Sequence, residues 1–362
     1  MPDIAIVGGG IGGLCTAIAL LDRGFDPVVY EATDELQHVG AGIAIPPNGL
    51  QKLDQLNVLD AVVDRGVILD SIELRTNDRT LMSMDLDEPS NNLDRSVLSV
   101  HRAALQAALV DRLPSETLQL GMECSDISIN PPTIQFCDGS SITARVVVGA
   151  DGVNSAVRRC LSPYAKPQFT NEIGYHSIVD GDIFSNLKTG LENWSRGARF
   201  GFAPISNEQT YCYASVRASS PDAAPEMTPR DLAVRYEWPE DIDELLKHST
   251  GTTIRAPIFS LPTLSRWSRG RVTLLGDAAH AMEPYLAQGC SQAIADAIAL
   301  AKSVSQYGTT HRAISAYEDR RKPRTDAIRH QSRCIGLLGQ IENPALKGVR
   351  DASISLTSSL LS

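Results

Sequence analysis

A chain of 362 residues with 43% apolar and 21% charged residues has room for two domains, or for one large domain carrying an insertion, and can bury a large core without disulfides. Its formal charge of −10 argues against a nucleic-acid partner, because holding a phosphate backbone depends on clustered Lys and Arg; any anionic ligand must find local arginines. The cysteines, Cys15, Cys124, Cys137, Cys160, Cys212, Cys290 and Cys334, are scattered, odd in number and without metal-type pairing, which points to a reducing, cytoplasmic setting and no metal site.

Ile4 to Val7 is a short apolar run feeding Gly8-Gly9-Gly10-Ile11-Gly12-Gly13, after which Leu14, Ala17, Ile18 and Leu21 fall at helical spacing. Gly24 is placed to stop that helix, and Pro27 to Tyr30 gives a second strand closed by Glu31. Gly8, Gly10 and Gly13 fit G-x-G-x-x-G: a tight turn, a close approach to a pyrophosphate, and close helix-on-strand packing. Phosphates would sit on the helix N-terminus, and Glu31 would accept from ribose hydroxyls. An NAD enzyme and an FAD enzyme can share this unit. No secretory signal is expected, because the first apolar run gives way to glycines. No stretch approaches the ~20 apolar residues of a membrane span. The ending SISLTSSLLS is mildly amphipathic and reads as a docked or frayed tail, so no membrane association is expected.

Gly40 to Gly49, which includes Ala41 and Gly42, is a second glycine-rich loop leading into a helical pattern; it is either backbone passing close to a flat ligand or a plain connection. Residues 71 to 86 alternate like two strands about an Asn77-Asp78 turn. Arg102 stands in the first turn of a helix, against the macrodipole preference, so a cofactor phosphate could hold it; a surface arginine is the alternative. Three short strands near 117–121, 125–129 and 133–137 precede a buried strand ending in Gly149-Ala150-Asp151-Gly152. Asp151 is then a carboxylate at the ligand-binding edge of a parallel sheet, or a cap for the next helix. From 163 to 269 alternating runs and one helical segment, Pro229 to Lys247, read as an antiparallel sheet with a covering helix. Its ligand-facing side chains are open, because either parity of a strand can face a pocket.

The chain returns with a strand ending at Gly276-Asp277, a loop, and a long helix from near Gly289. If that helix start faces a flavin, its dipole stabilises negative charge on the ring. His280 after an Asp-Ala-Ala turn reads as structural more readily than as a base, and Cys290 as packing. The fold expected is α/β, a Rossmann-like domain with an inserted antiparallel-sheet substrate domain. Its dinucleotide-binding part is discontinuous, 1–70, 96–162 and 270–335; 71–95 and 163–269 form the substrate domain and 336–362 a C-terminal tail.

Taken in order, Gly8-x-Gly10-x-x-Gly13 with Glu31, Asp151-Gly152-x-x-Ser155-x-Val157-Arg158, and Gly276-Asp277-Ala278-Ala279-His280 followed by Pro284 and Gln288-Gly289 resemble the class A FAD-dependent aromatic hydroxylases, such as salicylate, 3-hydroxybenzoate and 6-hydroxynicotinate hydroxylases. The resemblance covers nearly the whole chain. It implies that Gly8, Gly10, Ile11, Gly12, Gly13, Glu31, Ala41, Gly42 and Arg102 contact FAD, and that Asp151 serves FAD and NAD(P)H binding. It further implies that Asp277 holds the ribityl or ribose region, and that the loop Pro284, Ala287, Gln288, Gly289, Cys290 passes beside the isoalloxazine. NADH or NADPH would visit transiently, and a flavin C4a-hydroperoxide would hydroxylate a small aromatic or heteroaromatic, phenol-like substrate in a monomer or homodimer. Ala287 departs from the glycine of many members, Ala295 from an acid, and Glu283 adds a carboxylate that would disfavour an anionic substrate unless an arginine offsets it.

Tyr211 and Tyr213, with Arg199 or Arg217 for a carboxylate, are the expected substrate contacts. The alternatives are a flavin-dependent epoxidase or isoprenoid reductase of the same fold, an NAD-dependent dehydrogenase, and a non-catalytic flavoprotein that senses redox state.

Overall fold

The structure is a computed structural model describing residues 2–36, 41–87, 92–181, 188–195, 197–236, 238–248 and 253–361. Gly40, the first residue of the second glycine-rich loop, lies outside them.

Because Ile4, Ala5, Ile6 and Val7 are all apolar, the strand Ile4–Val7 can be covered on both faces, and it runs through the middle of a six-stranded sheet. The order is Ser268–Arg269, Val272–Leu274, Val146–Gly149, Ile4–Val7, Pro27–Tyr30, Leu118–Gln119, parallel except for the first pair. The first of the three expected short strands therefore extends this sheet. The other two, Cys124–Ile129 and Pro132–Phe136, join Ser141–Thr143 in a separate antiparallel sheet turned at Gly139. The helices Ile11–Leu21 and Gly289–Tyr307 pack side by side over the parallel sheet. Gly12 allows that approach, since a Cβ there would stand 3.3 Å from Ala293 Cβ of the second helix.

Most of the 163–269 stretch builds a seven-stranded sheet ordered Thr253–Ser260, Gln168–Asp180, Gln209–Arg217, Ala198–Pro204, Thr189–Trp194, Ser71–Thr76, Thr80–Asp85. The hairpin about Asn77-Asp78 is its last two strands, and Ser71–Thr76 docks parallel to Thr189–Trp194. Two helices cover it, Pro229–Arg235 and Glu240–His248, where one was expected; Pro239, which cannot continue a helix from its N-terminal side, opens the second. Cys212, Ala214 and Val216 pack with Leu232, Ile242 and Leu246 in this layer. Strand periodicity then turns Tyr211 and Tyr213 to the opposite face.

A third, small antiparallel sheet of Gly42–Ile45, Leu98–His101 and Gly66–Ile68 stands between the two large ones. The long helix His311–Gly339 ties everything together through one face. Tyr317 Oη donates to the Leu274 carbonyl (3.0 Å), Arg321 Nε to Asp296 (2.6 Å), Arg329 Nη1 to the Leu261 carbonyl (2.8 Å) and Ser332 Oγ to the Glu283 carbonyl (2.6 Å); Gly336 offers its carbonyl to Arg199. Residues expected as a C-terminal tail form a further helix, Pro344–Leu361. Among the described residues no helix is long and apolar enough to cross a membrane, and no His, Cys, Asp or Glu cluster could hold a metal.

Candidate active site

The three sequence motifs converge on one cavity of about 470 Å³. It is lined by Gly10, Ile11 and Gly12 of the first turn, with Arg102 and Asp277. Ala287, Gly289 and Cys290 line it from the last loop and helix start, and Tyr211, Tyr213 and Arg199 from the seven-stranded sheet.

Each glycine of the first turn has a distinct reason. Gly8 adopts φ +104°, and a Cβ there would lie 2.4 Å from the Ala150 carbonyl oxygen; at Gly13 a Cβ would lie 2.0 Å from the Gly8 carbonyl oxygen. These two positions serve chain packing. Gly10 has no protein atom within 4 Å of where its Cβ would be and borders the cavity, so its smallness serves an approaching ligand. Gly289, the first residue of the Gly289–Tyr307 helix, is open in the same way. Two helix N-termini with free N–H groups thus face the cavity, one suited to phosphates and one to a ring carrying partial negative charge. Asp277 is exposed to the cavity at the end of the Val272–Leu274 strand. A dinucleotide fits this set of donors, open glycines and one carboxylate.

Several expected residues stand just behind the lining. Glu31 accepts from the Gly9 N–H (2.6 Å) and, at its other oxygen, from Thr33 N–H and Oγ1 (3.1 Å each). Asp151 accepts from Ser155 Oγ (2.5 Å) and the N–H groups of Ala156 (2.7 Å) and Val157 (3.2 Å), so it fastens the Ala156–Leu161 helix. Burial pushes its carboxyl up, against the pull of those hydrogen bonds. Ala41 receives the Arg102 N–H at 2.9 Å. Gln288 Oε1 accepts from Asn48 Nδ2 (2.8 Å) and Gln292 Nε2 (2.9 Å), bracing the loop. Pro284 opens the short turn that ends at Ala287, which holds φ +50°, left-handed backbone that glycine adopts without cost.

Gly42 lines the cavity and also abuts the aromatic wall: a Cβ there would stand 2.3 Å from the ring of Tyr211. The Tyr211 hydroxyl meets His176 Nδ1 at 2.7 Å, and burial keeps His176 below its ordinary pKa. Tyr213 donates to Glu192, whose Oε1 also accepts from Trp194 Nε1 at 2.5 Å. Arg199 is 3% exposed; its guanidinium lies 4.1 Å from the Tyr285 ring centre, and Tyr285 donates to buried Glu172. Arg217 is not on the cavity. It ends its strand exposed and paired with Glu342 at 2.9 Å, and so drops out of the substrate contacts.

His280 is buried, with Nε2 2.6 Å from Asp296, away from the cavity lining. The Cys290 thiol is pushed up to about 12 by burial, with Arg102 opposing, and packs as a neutral group. Residues that the sequence reading missed are His176, Glu192 and Tyr285. His176 lies directly across the ladder from Tyr213, a register that no local pattern announces.

The family model described as FAD binding domain matches residues 1–332 of this chain. Aurachin C monooxygenase/isomerase from Stigmatella aurantiaca is 31% identical over 98% of this chain and 94% of its own length. 3-Amino-4-hydroxybenzoate 2-monooxygenase from Streptomyces cremeus is 31% identical over 91% of this chain and 86% of its own. Among solved structures, Klebsiella pneumoniae HpxO complexed with FAD and uric acid is similar with a TM-score of 0.88 at 26% identity, covering 97% of this chain and 92% of that one.

Proposed function

This chain belongs to the FAD-binding family of aromatic monooxygenases, and on that premise we propose that it uses NAD(P)H and O2 to hydroxylate a small, phenol-like aromatic or heteroaromatic ring. The observation that carries the reading is one cavity that brings together the open Gly10 turn, Asp277 and the Gly289 helix start with Tyr211, Tyr213 and His176. Bound FAD supplies the redox chemistry, passing electrons from NAD(P)H to O2 so that one oxygen atom enters the ring and the other leaves as water.

The protein's own work is binding, orientation and proton handling. The N–H groups at Ile11 and Gly12, with Arg102, would hold the pyrophosphate, Glu31 would accept from the ribose, and Asp277 would take hydroxyls of the ribityl chain. The N-terminus of the Gly289–Tyr307 helix would stabilise negative charge on the reduced ring. Asp151 acts through the loop that it fastens. Burial keeps His176 neutral and its Nδ1 shares a hydrogen bond with the Tyr211 hydroxyl; in the tautomer whose Nδ1 accepts, this pair can draw a proton from a phenolic substrate lying against it. The aromatic wall holds the ring in place and keeps water away from the reacting atoms.

Asp277→Ala tests the assignment. The expected outcome is loss of FAD on gel filtration and of substrate-stimulated, O2-dependent NAD(P)H oxidation. Full cofactor occupancy with normal turnover in that variant would overturn it.

A further inference from the structure

We infer that the ring site selects an uncharged aromatic carrying an N–H or O–H donor over an aromatic carboxylate, and that Glu192 is the acceptor that recognises the donor. This rests on the monooxygenase reading above and names its substrate class.

The argument begins with the cation a carboxylate would need. Arg199 is the arginine on the aromatic wall, yet its charge is already committed. Its Nη2 donates to the carbonyls of Gly336 and Ile335. Its plane is held between the rings of Tyr285, 4.1 Å from the guanidinium carbon, and Trp194, 5.4 Å. The two nitrogens left over, Nε and Nη1, hydrogen-bond nothing among the described residues, but both are shut off within the wall, so a ligand in the cavity does not reach them. Nη1 instead stands 4.0 Å from Glu192 Oε1. The other cavity arginine, Arg102, stands beside Cys290 and Asp277, among the residues assigned above to the cofactor. His176 adds no positive charge, since burial keeps it neutral.

Against this committed cation the wall sets Glu192 and Glu283 on the lining and Glu172 just behind Tyr285 and Ser215. Glu283 is buried and that burial pushes its carboxyl up, while Arg333 and Arg329 pull it the other way, so those two arginines already face a carboxylate of their own. Glu192 is different: its side chain is 26% exposed, and it accepts one hydrogen bond at each oxygen, from Trp194 and Tyr213, leaving lone pairs on both. A fixed acceptor at the rim of an apolar wall rewards a donor-bearing ring. It repels an incoming carboxylate, and in a poorly hydrated site that repulsion is weakly screened.

The test measures equilibrium binding to the FAD-loaded protein, by perturbation of flavin absorbance without NAD(P)H, for matched pairs: 4-hydroxyquinoline against 4-hydroxyquinoline-2-carboxylate, and 4-hydroxybenzamide against 4-hydroxybenzoate. The neutral member of each pair is expected to bind at least about tenfold tighter. In Glu192→Gln, checked for normal FAD content, the preference should shrink to within about threefold, because the amide both accepts and donates. A carboxylate that binds the wild-type protein as tightly as its neutral partner overturns the proposal, as does a neutral partner that leaves the flavin spectrum unchanged. Failure of the monooxygenase reading is a separate observation: a bound neutral ring that gains no oxygen atom by mass spectrometry when NAD(P)H and O2 are supplied.

Discussion

Asp296→Asn removes one charge from a fully buried polar knot. Asp296 is fully buried and receives three donors: Arg321 Nε at 2.6 Å, His280 Nε2 at 2.6 Å and the Gly276 N–H at 3.1 Å. Asparagine replaces one acceptor oxygen by an NH2, so at least one of those contacts becomes donor against donor. Arg321, 6% exposed, would keep only the carbonyl and Oε1 of Gln292. A charge pair at about 4 Å in an effective dielectric near 20 is worth ~4 kcal/mol, and breaking a buried pair typically costs about 3–5 kcal/mol. Because Asn retains part of the hydrogen bonding, the expected loss is ~3 kcal/mol, a large share of a total stability of about 5–15 kcal/mol. At fixed FAD concentration, scanning calorimetry should show Tm falling by about 4 °C, as ~3 kcal/mol implies for a chain of this length. Arg321→Met should cost a similar amount, and the double variant clearly less than the sum, since the uncompensated charge has gone. A drop below about 2 °C for Asp296→Asn, or additive losses in the double variant, would refute the reasoning.

The glycine turn separates packing from ligand contact. Gly10→Ala should leave Tm without FAD within about 1 °C of wild type while FAD affinity falls at least tenfold, whereas Gly13→Ala, with its Cβ driven into the Gly8 carbonyl, should fail to accumulate as folded protein; equal Tm losses in the two would contradict the division of roles. Acid should act through Asp296. Burial opposes its charge, but His280 and Arg321 hold its carboxyl below the usual value. A folded pKa below the unfolded one gives stabilisation that is whole above the unfolded value, about 3.9, and fades as pH falls through the folded value. Urea unfolding from pH 6 to pH 3 should therefore show the wild type losing more stability below about pH 4 than Asp296→Asn does.

What the sequence disclosed and what it withheld divide along physical lines. The Ile4–Val7 strand, the glycine turn and Asp277 were legible because local demands fixed them: a doubly covered strand must be apolar, and a backbone passing 2.4 Å from a would-be Cβ must be glycine. The Pro229 to Lys247 stretch reads in sequence as one helical segment, whereas Pro239 divides it into two helices. The wall was opaque for a different reason. Tyr211 and Tyr213 could be named, but Glu192 and His176 belong to strands set beside them only by long-range register, and the face a strand presents is decided by the helices that cover the other side. Arg199 and Arg217 looked equivalent in sequence. One is clamped between aromatic rings and the other pairs in solvent with Glu342.

The contacts of His311–Gly339 with Leu274, Asp296, Leu261, Glu283 and Arg199 make that rod a gauge, setting the distance from the nucleotide-side strands to the aromatic wall. Adding or deleting one residue midway would turn every later contact by about 100° around the axis. Diversification of this enzyme is therefore free to exchange wall side chains for new rings, while the length of this helix stays locked to the spacing of the two sheets that it joins.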